Sequence, residues 1–254
     1  MVSAASLRSA KLEARDVFQA PPGPFAGPDV LGDGAGLVAT LLTGGRPQLL
    51  GATLARMAVL REAFPALRLV AYVNQADRAS CEQLERAEVP YTESPIGSLT
   101  SIGHGTSLLA RRAFEADRRL WLHLEDDWLL DRHLAEPTLR EAAALLHVAP
   151  EIKQVRLRKI DERVLNRHQV TQRALGWTLH DRHARAAAHW TFNPSLVRLG
   201  AAEPALALCE DFETEEEAQR RIHHRFPGLL VAQLSPGIFQ HGGEEHSLRK
   251  RRTP

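Results

Sequence analysis

The chain has 254 residues, 44% apolar and 25% charged, enough to bury a sizeable core, which fits one large α/β domain. A formal net charge of +1 offers no general attraction to nucleic acid or an anionic membrane. Cys81 and Cys209 are too few for a disulfide framework or a zinc-thiolate site, and with no long apolar run and no signal-peptide start the expectation is a cytoplasmic protein without membrane insertion.

Residues 1–36 are rich in Ala, Pro and Gly and predict an extended arm or partly disordered lead-in ahead of a single domain over 37–254. "GDGAG" at 32–36 precedes a strand rather than following one, so it is no dinucleotide fingerprint. "LVATLL" from Leu37 predicts a short buried strand that stops at Thr43-Gly44-Gly45-Arg46. Leu50, Leu54, Met57, Leu60 and Phe64 then fall at helical spacing. "LRLVAYV" predicts a second strand, "QADRASCEQLERAEV" a helix, and "SLLARRAFEAD" another helix leading into the strand "RLWLHL". Strands alternating with helices predict a mostly parallel, twisted sheet flanked by helices, with ligands bound beyond the strands' carboxyl ends. Thr43–Arg46, Asn74–Asp77 and Glu125–Asp127 all fall at such ends.

Beyond Pro137 a helix over about 138–147 and the strand "IKQVRLRKI" are predicted, then an irregular His/Arg-rich stretch over 161–189 suited to loops and short strands around a second substrate. That stretch has no His-Glu-x-x-His spacing, which argues against a zinc hydrolase. A helix over 213–225 and the strand "GLLVAQL" precede "FQHGGEEHSLRKRRTP".

The acids Glu125, Asp126 and Asp127 end an apolar strand. Hard cations such as Mn2+ or Mg2+ bind through one or two carboxylates plus substrate phosphates, and a strand end fixes the ligands while leaving coordination positions open. The same acids suit a solvated turn or a helix start.

"WLHLEDD" resembles the Asp-x-Asp type motif of nucleotide-sugar-dependent glycosyltransferases with the GT-A fold, in its EDD form. "HWTFNPSLVR", "CEDFE" and "FQHGG" follow in the order of inverting members. The resemblance implies a GT-A-like α/β fold, with a donor half about 37–135 and an irregular acceptor half about 136–254. It implies a metal-dependent hexosyltransferase with Mn2+ or Mg2+ as cofactor, a nucleotide-diphosphate sugar as donor and a small-molecule or glycan hydroxyl as acceptor. Asp127 and His241 would be the metal ligands, with Glu125 and Asp126 around the donor. Asp211 would be the base, with Glu210 and Glu213 as substitutes. Thr43, Gly44 and Arg46 would form the nucleotide-binding opening, Asn74 and Asp77 would reach the nucleoside, and Arg249 and Lys250 would touch the phosphates.

The residues read by themselves leave other roles open. Glu215, Glu216 and Glu217 read as acids favoured by a helix dipole. Trp190 and Asn193 suit either an acceptor contact or packing beside an Asn-Pro turn. A sugar nucleotidyltransferase would show a longer Gly-rich loop bearing Gly-Thr-Arg and a downstream Lys, which "TGGRPQLL" lacks. A non-catalytic nucleotide-sugar binding protein would share the pocket without turnover.

Overall fold

The computed structural model describes residues 28–95, 101–159, 170–174, 177–180, 190–227, 229–234 and 237–242. Its elements are β1 (Leu37–Thr43), α1 (Pro47–Ala63), β2 (Arg68–Val73), α2 (Arg78–Arg86), β3 (Tyr91–Glu93), α3 (Ile102–Glu115), β4 (Leu120–Glu125), β5 (Trp128–Leu130), α4 (Ala135–Val148), β6 (Ile152–Arg156), β7 (Val170–Ala174), β8 (Trp177–His180), β9 (Ser195–Arg198), a 3-10 helix (Pro204–Cys209), α5 (Glu215–Arg225), β10 (Leu230–Leu234) and β11 (Phe239–His241).

A nine-stranded sheet takes the order β3-β2-β1-β4-β9-β6-β10-β8-β7. The pairs β3-β2, β2-β1, β1-β4 and β6-β10 are parallel, and β9 and β8 run against the remaining strands of that sheet. Most strands therefore deliver their carboxyl ends to one edge. Every residue of β1 is buried, as a central strand covered on both faces requires. Leu120, Leu122 and Leu124 of β4 join the larger core with α1 and α4, while Trp121 joins a second core with Trp190, Phe192, Phe212 and Ile222. The period of two along β4 thus assigns Glu125 to the same face as Trp121 and His123.

Ordered packing begins before Leu37. Leu31 is only 2% exposed in the larger core, and Asp29 accepts a hydrogen bond from Arg140 of α4 at 2.7 Å. Helix α1 starts at Pro47, whose missing N–H costs nothing in a first turn, and buries Leu50, Thr53, Met57 and Leu60. Thr53 sits on the predicted apolar face because its hydroxyl has a partner, the Asp126 carbonyl at 2.8 Å. Helix α3 lies close to the chain at 212: a Cβ on Gly103 would meet the Phe212 carbonyl oxygen at 2.1 Å. The β7-β8 hairpin falls inside the stretch read from sequence as irregular, whose remaining residues lie outside the described ones. A separate two-stranded sheet pairs β5 with β11, setting Trp128 opposite His241. Among the described residues no helix is long and apolar enough to cross a membrane.

Candidate active site

Backbone hydrogen bonds carry the parallel ladder past the strand ends and gather the first loops at one edge. Asn74 donates its N–H to the Thr43 carbonyl at 2.8 Å, Asp126 to Leu42 at 3.0 Å and Ser94 to Val73 at 2.9 Å. Gly45 has φ 70°, and a Cβ there would come within 3.0 Å of the Gln75 carbonyl, so the turn after β1 and the turn after β2 touch. Gln75 itself holds φ 62°, an uncommon conformation for its residue type that its neighbours must enforce.

Asp126 is fully buried and well satisfied. Its Oδ2 accepts the Thr43 hydroxyl at 2.6 Å and the Gly44 N–H at 3.2 Å, and its Oδ1 pairs with Arg46. Burial nevertheless raises its pKa, against the opposing pull of Arg46, Thr43 and Gly44. Arg46 also donates to Asp127 Oδ2 at 3.0 Å. Burial works against the Arg46 charge, but Asp126 and Asp127 more than offset it and hold the guanidinium above its usual range.

His241 Nε2 lies 3.4 Å from Asp127 Oδ2, and its ring meets the Trp128 ring edge-on at 4.9 Å between centroids. Asp127 Oδ1 is buried with no hydrogen-bond partner among the described residues. A buried carboxylate oxygen without a donor, beside an imidazole nitrogen, fits a hard or borderline cation. No group of three or more His, Cys, Asp or Glu side chains suited to a metal occurs among the described residues, so phosphate or water oxygens would have to complete such a site. Arg158 lies over the Trp128 ring at 5.5 Å, a cation at this edge that sequence reading did not single out.

Glu125 faces away from this group. Burial, reinforced by Asp127 and Asp126 and by Glu215, pushes its carboxyl up to about 8, while Arg46 pulls the other way. Across the edge, burial lowers Arg156 to about 10, partly countered by Glu215. Glu215 begins α5, where its Oε1 accepts the Phe192 N–H at 3.0 Å and Gln219 Nε2 at 3.2 Å. The sequence reading assigned Glu215 to the helix start alone. Thr214 caps that helix through the Glu217 N–H, so a signal was present: the capping pattern uses positions 214 and 217 and leaves 215 uncommitted.

The remaining predicted residues take other surroundings. Asp77 caps α2 by accepting the Ser80 N–H at 2.8 Å, and its Oδ2 is buried without a partner among the described residues. Asn74 is 7% exposed behind the β1 turn. Asp211 accepts Ser107 Oγ at 2.8 Å and Arg111 Nη2 at 2.7 Å, both from α3, and these bonds lower its pKa. Glu210 forms a two-bond pair with Arg225 at 2.6 and 3.0 Å. Glu213 is exposed and donates its N–H to Glu217. None of these three touches the carboxylates after β4 in the described contacts. Trp190 is 2% exposed within the second core, so its ring has no free face for an acceptor; packing claims it. Asn193 donates to the Thr191 hydroxyl, tightening the turn before β9. Arg249 and Lys250 lie outside the described residues.

No protein-family model matches the sequence, and no curated protein is similar to it in sequence. Solved structures are similar in fold. The mannosyltransferase PcManGT of Pyrobaculum calidifontis, in complex with GDP-Man and Mn2+, superposes with TM-score 0.58 at 14% identity over 97% of this chain and 67% of its own. TarS of S. aureus, residues 1–349 with UDP-GlcNAc, gives 0.57 at 12% identity over 86% of this chain and 61% of its own. Glucosyl-3-phosphoglycerate synthase of Mycobacterium tuberculosis, with Mg2+ and UDP, gives 0.53 at 8% identity over 88% and 76%. The chain therefore has a GT-A-like α/β fold, and it spans about two thirds or less of the length of the first two of these proteins.

Proposed function

We propose that the chain is a glycosyltransferase that moves a sugar from a nucleotide-diphosphate donor to an acceptor hydroxyl, with inversion. The observation that carries this reading is the 3.4 Å approach of His241 Nε2 to Asp127 Oδ2, beside a two-glycine turn that presents Arg46. The fold likeness to proteins solved with GDP-Man, UDP-GlcNAc or UDP supports it.

Asp127 and His241 are the residues to hold Mn2+ or Mg2+, which when bound supplies positive charge to the departing diphosphate. Arg46 adds a fixed cation at the same edge, and the Gly44-Gly45 turn lets the backbone approach a phosphate. Asp77 Oδ2, buried and without a partner among the described residues, is the acceptor we assign to the nucleoside, to be reached as the donor enters. The acceptor oxygen attacks the anomeric carbon as the bond from that carbon to the diphosphate oxygen breaks, and the acceptor proton passes to a carboxylate. Asp211 was read from sequence for that task. Asp211 and Glu215 each accept two hydrogen bonds on a single oxygen, but Asp211 is bound to Ser107 and Arg111 of α3 while Glu215 acts electrostatically on Glu125 at the end of β4, so we assign the proton to Glu215.

A thermal-shift screen of nucleotide sugars with and without Mn2+ tests the reading. One sugar nucleotide should raise the melting temperature by mass action, and more so with metal. Turnover or slow hydrolysis of that donor separates a transferase from a binding protein. A screen in which no nucleotide or nucleotide sugar shifts the melting temperature overturns the proposal.

A further inference from the structure

The β5-β11 ribbon has two faces. Trp128, Leu130, Phe239 and His241 turn toward the core and the Asp127 edge, and Leu129 and Gln240 turn the other way. Behind Leu129 and Gln240 lies a cavity of about 350 Å³, walled also by Arg56, Arg132, His133 and Lys159 with Asp131.

The charges in that cavity do not cancel. Among the described residues Asp131 is its one carboxylate, and both its oxygens are engaged: Oδ2 accepts Lys159 Nζ at 2.8 Å and Oδ1 the His133 N–H at 3.2 Å. Arg56 donates Nη1 to the Leu130 carbonyl at 2.8 Å, and Arg132 donates Nη2 to the Ala55 carbonyl at 3.2 Å. These bonds tie α1 to β5, yet each uses one of the five N–H donors of a guanidinium. Two arginines and a lysine against one carboxylate leave an excess of two positive charges, histidine left out of the count. Bidentate guanidinium forks match phosphate geometry, and a volume at the low end of the range for small-molecule pockets suits a phosphate carrying a few carbon atoms. Leu129 provides an apolar wall for that body.

We propose that this cavity binds a phosphate-bearing small molecule at a site separate from the sugar-transfer edge. It shares the ribbon and α1 with that edge, but Arg46, Asp126, Asp127 and His241 do not line it, so its occupant and the donor can be bound together.

Titration calorimetry on the full chain in about 0.15 M salt, where exposed charges are screened, tests this with glycerol 3-phosphate and inorganic phosphate as probes. Saturable one-to-one binding of glycerol 3-phosphate is expected, with inorganic phosphate competing. Arg132→Glu should weaken it at least about tenfold, since it reverses a charge within reach of the phosphate. Lys159→Gln, checked for an unchanged circular dichroism spectrum, should weaken it as well. Asp127→Ala should leave it unchanged. Binding that survives both cavity substitutions, that disappears with Asp127→Ala, or that never saturates overturns the proposal.

Discussion

Two neighbouring residues on β4 and its following turn meet opposite treatment. Asp126 ends in a closed set, with Thr43, Gly44 and Arg46 supplying donors to both of its oxygens. Glu125, one residue earlier and on the other face, has no comparable set among the described residues, and burial drives its carboxyl up to about 8. In the proposed reading the donor side of the edge is organised by bonds already made, and the acceptor side by charges that act on one another, Glu125 and Arg156 each with Glu215. The difference teaches that an acidic run at a strand end is not one feature. Alternation sends its members to two environments, one suited to fixed ligation and one suited to moving a proton.

The largest effect belongs to the donor side. Asp127→Ala removes the carboxylate shared by Arg46 and His241, and should lower turnover of the donor at least about a hundredfold, with loss of any metal dependence in donor binding. Steady-state kinetics at varied Mn2+ would check it; full metal-dependent activity in this variant would dissolve the contrast between the two sides. On the acceptor side, Glu215→Gln should reduce kcat on the order of a hundredfold or more while the donor KM stays near its original value. Asp211→Asn, by comparison, should act mainly through stability, because its partners Ser107 and Arg111 belong to α3. If the asparagine variant loses transfer and the glutamine variant keeps it, the assignment reverses.

How much of this was legible beforehand follows from the range of the interactions involved. β1, β2 and β4 are mostly apolar runs, and α1 shows its buried face at helical spacing, so local pattern sufficed. β5 and β11 have three residues each, too few for any period, and exist because they pair with each other from distant parts of the chain. The order of motifs suggested His241 as a partner for Asp127, but only that ladder brings the two within 3.4 Å. Glu215 was hidden for a different reason. A first-turn acid has an adequate local explanation, and its bond to the Phe192 N–H depends on where α5 docks. Trp190 shows the opposite case: an aromatic beside an Asn-Pro turn reads more often as packing than as a ligand contact, and the second core encloses it.

A smaller test addresses how firmly the donor side is closed. Thr43→Val keeps the shape of a buried side chain and deletes the 2.6 Å hydroxyl bond to the Asp126 carboxylate. Hydrogen bonds to charged groups contribute about 1.5–3 kcal/mol, so urea unfolding should show a loss of about 2 kcal/mol. A loss near zero would mean that Arg46 and Gly44 suffice, and that Asp126 is less dependent on its cradle than its three partners imply.

The finest distinction is electrostatic and appears as a slope. The folded chain keeps a proton on Glu125 up to about 8, whereas in the unfolded chain the carboxyl titrates at its ordinary 4.5. Between those values the native state binds the extra proton, so this contribution to stability is fully present below 4.5 and is lost as pH rises toward about 8. Asp126 is shifted in the same direction by burial, so the wild-type curve alone does not isolate Glu125. Glu125→Gln removes one titration and leaves the other. Urea unfolding of both proteins in metal-free buffer, at several pH values between about 5 and 8, should show a stability that falls with pH more steeply in the wild type than in the variant. Parallel curves would show that Glu125 is ionised in the folded protein, and the two sides of β4 would then differ in geometry but not in protonation.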